Sequence, residues 1–194
     1  MSQTVLAVIG ISSAVVNTVG LVPYIRDIFK GKTQPERATW WIWLVLNAIV
    51  IAALINAGAT WGLAMNFGQT IAVLLIAGLS VKYGFGSFHR RDLVSLIFAA
   101  IGIVIWRFTS QPIAAILIVV AVDAAGFWLT VNKSWHAPHT ETLISWQLAA
   151  ASGFLGVLAV GELSPTKLIY PLYIALGNSL LVWVIIHRRP VVKA

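Results

Sequence analysis

Cysteine is absent from this 194-residue chain, which excludes disulfides, thiolate catalysis and thiolate-bound metal. Charge is nearly as scarce: six acidic and thirteen basic residues make up 10% of the sequence, against 59% hydrophobic residues and a mean hydropathy of +0.90. A soluble domain of this length could not hide so much apolar surface. Little sequence lies outside apolar runs of membrane-crossing length, which fall at roughly 4–25, 39–57, 61–81, 93–109, 112–131, 142–160 and 168–187. The expected fold class is therefore an all-α integral membrane protein with seven transmembrane helices, forming one membrane domain over residues 1–194 without a soluble appendage. No basic residue precedes the first span and no small-residue cleavage site follows it, so it reads as a mature helix rather than a signal peptide.

The basic residues are unevenly placed. Arg26, Lys30, Lys32, Arg37, Lys82, Arg90, Arg91, Lys133, Arg188, Arg189 and Lys193 fall on one side of the expected membrane, and only Arg107 and Lys167 on the other. That asymmetry places the N-terminus outside and the C-terminus in the cytoplasm. A net charge of +7 could suggest nucleic-acid binding, but these charges sit in short loops beside spans and form no single stripe. Topogenic charge and attraction to anionic lipid account for them, so the bilayer is the expected partner and nucleic acid is not. Trp40, Trp41, Trp128 and Trp135 near the inner boundary, with Trp61 and Trp106 near the outer, suit amphipathic rings at a membrane interface.

Two stretches share their punctuation. Lys30, Pro35 and Trp43 recur as Lys133, Pro138 and Trp146, each displaced by 103 positions. The spacing predicts a first repeat over 1–84, a linker helix over 90–109 and a second repeat over 111–188. With one span between them, the repeats enter the membrane from the same side, giving two parallel three-helix bundles around a central path.

Polar residues recur near the span centres: Asn17, Asn47, Gln69, Asp123, Ser152 and Asn178 in spans one, two, three, five, six and seven. Taken singly, Asn17, Asn47 and Ser152 suit hydrogen bonds that glue helices together. As a set they point to a wet interior site that holds a small molecule. Asp123 is the sharpest of them, since a carboxylate at that depth is costly as an ion and calls for a proton, a partner or water. Its counterpart in the first repeat is Gly20, so the acid breaks the duplication. It is the candidate for proton coupling; a structural acid bonded to amides or indole N–H groups, or paired with Arg26 or Arg107, is the alternative. Pro23 is a candidate hinge in span one. Trp43 and Trp146 are candidate gates at the inner mouth, and Tyr170 and Tyr173, flanking Pro171, at the outer; interfacial or packing roles compete for all four.

The run Gly20-Leu21-Val22-Pro23-Tyr24-Ile25, the basic segment from Lys30 to Pro35 and the Trp-rich start of span two resemble the first repeat of the PQ-loop and SWEET superfamily. The segment from Asp123 through Lys133 and Pro138 to Trp146 resembles its second copy, and Asn66-Phe67-Gly68 is similar to the polar Asn and Gly of the third helix in sugar-carrying members. The Pro-Gln pair is replaced by Pro23-Tyr24 and Gly126-Phe127, and Ala175 stands where a match to Asn66 would fall, leaving one proline hinge. The resemblance implies a small-solute carrier in the bacterial cytoplasmic (inner) membrane, in some members a homo-oligomer. Cargo classes would be sugars, amino acids or, in a related three-one-three fold, nicotinamide riboside. It adds Asn66 to the substrate-binding set, and Asp123 is similar in place to the fifth-helix acid of the proton-coupled cystinosin branch.

Other classes fit less well. Span seven has no interior lysine for a retinal Schiff base, so no cofactor is expected. Only His136, His139 and Glu141 could form an enzymatic or metal cluster; their spacing is loose, and they read as solvated loop residues. The expected activity is transport by alternating access. A sensor or scaffold on the same fold, which binds without transporting, remains the second reading.

Overall fold

The computed structural model describes residues 1–56, 61–86 and 112–192, and within them the side chains outside 49–56, 61–69, 112, 114 and 115. The linker helix expected at 90–109, with Arg90, Arg91, Trp106 and Arg107, lies outside the described residues. Those residues form six α-helices: α1 (Gln3–Phe29), α2 (Arg37–Asn56), α3 (Trp61–Tyr83), α4 (Pro112–His136), α5 (Leu143–Val160) and α6 (Pro165–Arg188). One 3-10 turn, Pro138–Thr140, links α4 to α5, and no strand occurs among the described residues.

Local chemistry explains the boundaries. Ser2 caps α1 by accepting the Val5 N–H at 3.3 Å, and Pro165 occupies the first turn of α6, where an N–H would lack a partner anyway. Gly161 ends α5 with φ +68°, a left-handed conformation natural to glycine. Both Pro23 and Pro171 lie within continuous helix, in α1 and α6.

Helices α1, α5 and α6, together with Ile116–His136 of α4, are long and apolar enough to cross a membrane. Their exposed faces agree with that solvent. Val8, Ile11, Val15, Val19 and Val22 form one stripe along α1, each more than half exposed, and Leu172, Leu176, Leu180, Trp183 and Ile186 form another along α6. Outward apolar stripes of this length would be a liability in water and are at home in lipid. The protein is a helical membrane protein.

Helix contacts close into a ring. α1 packs on α5, α5 on α6, α6 on α4, α4 on α2, α2 on α3, and α3 returns to α1. Small residues set the tightest approaches, as expected where lipid tails compete equally for apolar side chains. A Cβ on Gly153 would lie 2.4 Å from the Ala175 nitrogen across the α5/α6 seam, and one on Gly126 would lie 3.1 Å from Ile42 across α4/α2. Between α1 and α5, Ser13 and Ser152 each donate to the other's backbone carbonyl, at 2.8 and 2.9 Å.

At one end of the ring, where α1, α3, α4 and α6 finish and α2 and α5 begin, the connections are bound to one another. Gln34 N–H donates to Thr140 O at 3.0 Å, Phe85 N–H to Pro35 O at 2.8 Å, and Arg37 N–H to Phe85 O at 3.2 Å. Arg37 also reaches the carbonyls of Ser80, Val81 and Gly86, capping the end of α3. We call this the locked end.

The α5/α6 seam supplies a direct test. Gly153→Val places a branched side chain against the α6 backbone and should destabilise the protein by about 1–3 kcal/mol or more, the usual range for overpacking. A thermal melt in detergent measures it, and an unchanged midpoint would show that the helices separate freely there.

Candidate functional site

On α4, residues Leu117, Ala121, Ala125, Trp128, Asn132 and Trp135 form the exposed face, while Asp123, Phe127 and Thr130 lie opposite. That helical spacing points Asp123 into the ring, one turn from Phe127. Phe127 belongs to an aromatic layer across the interior. Its ring stacks on Trp43 at 6.3 Å and meets Trp146 edge-on at 6.2 Å. Trp43 lies 6.3 Å from Trp146, and Tyr24 lies 5.1 Å from Trp40 and 5.8 Å from Trp146. Tyr24, Trp40, Phe127 and Trp146 are buried in the main apolar core. Four helices, α1, α2, α4 and α5, each send at least one ring into this layer.

Asp123 sits on the side of the layer away from the locked end, since α4 runs toward that end and Asp123 precedes Phe127 by four residues. Its carboxylate accepts a short hydrogen bond from the Tyr173 hydroxyl, joining α4 to α6. Among the described residues, the acid's hydrogen-bond partner is this phenol. Tyr170 lies 6.2 Å from Tyr173, so both expected outer-mouth rings stand beside the acid. Phe127 and Tyr173 both approach Gly177 within van der Waals range.

Asn17 and Asn47 fall on the same side of the rings, whereas Asn178 directly follows Gly177, which faces Phe127, and so is level with them. Asn47, one turn beyond Trp43 on α2, donates to the Trp43 carbonyl at 2.9 Å and accepts the Thr70 hydroxyl at 3.2 Å. Asn178 is buried and donates to Ile174 O at 2.8 Å, within its own helix. Asn17 is half-buried, and its side chain makes no hydrogen bond among the described residues. Ser152 is engaged with Ser13 in the α1/α5 seam. The side chains of Asn66 and Gln69 lie outside the described residues.

Thus Asp123, Tyr173 and Tyr170 come together, as do Trp43 and Trp146, whereas Ser152 serves a helix contact. Asn47 and Asn178 satisfy nearby backbone carbonyls with their N–H groups, and among the described residues Asn178 makes no hydrogen bond through its carbonyl oxygen. Reading the sequence missed Tyr24 and Phe127 as partners of the tryptophans. The signal was present, because the same displacement of 103 that relates Trp43 to Trp146 relates Tyr24 to Phe127.

The loop residues depart furthest from expectation. Lys133, counted as a loop charge, is the fourth residue from the end of α4 and is 3% exposed. Glu141, expected to be solvated, is 1% exposed and pairs with Lys133 at 2.6 Å. The two charges neutralise each other and are further hydrogen-bonded, so neither needs water. His139 instead contacts the carbonyls of Arg189 and Val192 at 3.1 and 2.8 Å, and His136 that of Asn132 at 2.8 Å. No cluster of three His, Asp or Glu side chains suited to a metal occurs among the described residues.

No protein-family model, no curated protein and no solved structure matches the chain.

The Asp123–Tyr173 contact should prove energetically coupled. In a double-mutant cycle of Asp123→Asn and Tyr173→Phe, unfolding in detergent is expected to give a coupling of roughly 1–3 kcal/mol, the scale of a hydrogen bond to a charged group. Strict additivity would mean that the two side chains do not interact.

Proposed function

We propose that this protein is a small-solute carrier that works by alternating access, with Asp123 as its proton-coupling residue. One observation carries the reading: an acid and its phenol partner, with Asn47 on the same side, sit on one side of an aromatic layer, and the helix ends beyond that layer are bound shut. A site sealed toward one end is what a carrier requires in one of its states.

The order of helix contacts supports a duplicated, seven-span architecture similar to that of the PQ-loop and SWEET superfamily. If α1, α2 and α3 correspond to α4, α5 and α6, each contact has its counterpart: α1/α3 with α4/α6, α2/α3 with α5/α6, and α1/α5 with α4/α2. Residues 90–109 supply the linker helix in this reading, and the basic residues put the locked end in the cytoplasm. The cargo is a small polar molecule, a sugar, amino acid or vitamin, and it is held by Asp123, Asn17, Asn47, Asn66, Gln69 and Asn178. Pro23 supplies a hinge in α1 close to the locked end.

A thermal-shift screen of sugars, amino acids and vitamins identifies the cargo, and uptake into proteoliposomes then tests transport. Asp123→Asn should abolish accumulation driven by a pH gradient while sparing passive exchange, and Asn178→Leu should weaken cargo binding about tenfold without unfolding the protein. Undiminished pH-driven uptake in the Asp123 variant would remove the coupling role. Binding without flux would replace the carrier with a sensor or scaffold, and product formation without flux would make it an enzyme.

A further inference from the structure

The ion pair at the locked end has a connection that loop anchoring does not need. Lys133 uses all three of its N–H donors, on Glu141 Oε1 at 2.6 Å, on Thr140 O at 3.3 Å and on Gln34 O in the α1–α2 connection. The other Glu141 oxygen accepts the Trp146 indole N–H at 2.7 Å, and Oε1 also receives the Tyr24 hydroxyl at 3.4 Å. Arg189, at the end of α6, donates to the Glu141 backbone carbonyl at 2.7 Å. One buried carboxylate therefore touches two rings of the aromatic layer and the lysine that holds the opposite connection, while the backbone carbonyl of the same residue holds the end of a third helix.

We propose that Glu141, charged and held by Lys133, is the positioning residue that latches the aromatic layer shut. Separation of the helix ends and displacement of the Trp146 and Tyr24 rings are then one event. The geometry favours this over simple loop anchoring, because loop anchoring is already supplied by other bonds at the same end. Thr33 and Thr142 share a buried hydroxyl contact, Thr142 donates to Asp27 at 3.1 Å, and Gln34 N–H meets Thr140 O. None of these touches a ring of the layer. By contrast, the indole bond to Glu141 fixes the Trp146 ring, and a ring so fixed cannot swing away while the carboxylate stays paired. The proposal rests on the carrier reading for what the latch serves, while the latch itself is a property of the closed end.

Because the natural chain has no cysteine, Lys32→Cys and His136→Cys, both at exposed positions of the locked end, give clean spin-label sites on the α1–α2 connection and the end of α4. Pulsed electron resonance on the full-length protein in nanodiscs then reads the separation of the two. The native protein should give one short distance. Glu141→Gln should add a longer population, and Trp146→Phe, which keeps an aromatic ring and the ion pair but removes the indole donor, a smaller one, enriched roughly tenfold over native on the scale of one charge-assisted hydrogen bond. Thr33→Val should leave the distribution native. Native distances in both Glu141→Gln and Trp146→Phe, with or without a lower melting temperature, would overturn the latch, as would an equal shift in Thr33→Val. If Glu141→Gln does not fold, Trp146→Phe decides alone. The readout is independent of flux: a carrier that moves nothing yet shows the shift would lose the transport reading and keep the latch.

Discussion

The buried pairing of Lys133 with Glu141 is the interaction on which the closed end depends. Two opposite charges at 1% and 0% side-chain exposure survive only if each is compensated by the other and by further hydrogen bonds. Here the lysine is saturated and the carboxylate receives an ammonium, an indole and a phenol. Removing one partner of such a pair typically costs about 3–5 kcal/mol, because the other is left charged in a place without water. That magnitude exceeds anything the exposed Arg26–Asp27 or Lys167–Glu162 contacts can contribute. The four connected elements at this end, the α1–α2 connection, the end of α4, the 3-10 turn and the end of α6, are organised around it.

From the ion pair the constraint passes inward to the rings. Trp146 is held at its indole nitrogen and in turn packs on Tyr24, Trp43 and Phe127, so the layer is a continuation of the polar network rather than a separate core. Asp123 lies one helical turn beyond, on the same face of α4 as Phe127. A carboxylate in that position is sheltered from the locked end by the rings and partnered by Tyr173 on α6. The ring of helices keeps α4 between α2 and α6, and this neighbour pair is what brings Phe127 to Trp43 and Asp123 to Tyr173.

Much of this was legible residue by residue. Apolar run length gave helices close to those found, and the displacement of 103 already matched Trp43 with Trp146. The expected edge of span five near residue 131 fell short, since α4 continues to His136. Hydropathy stops at a lysine, whereas the helix continues because the lysine is neutralised by a residue eight positions later. The same blindness made Glu141 look like a solvated loop acid. Its partners Tyr24 and Trp146 are 117 and 5 positions away, and no local pattern signals a bond of the first kind.

What the sequence determines by itself is the solvent and the periodicity: an apolar chain with scarce charge must present its side chains to lipid, and helices are the open-ended structures that satisfy their own backbone there. It also carries the common displacement of 103 between Lys30, Pro35 and Trp43 and Lys133, Pro138 and Trp146, because that is a matter of counting. Only the tertiary structure decides which polar groups are joined. Asp123 with Tyr173, Ser152 with Ser13 and Lys133 with Glu141 are pairings between particular faces of particular neighbours, set by the order in which the helices close their ring. Burial changes the meaning of a charge, and burial is a property of the packed helices rather than of any stretch of chain.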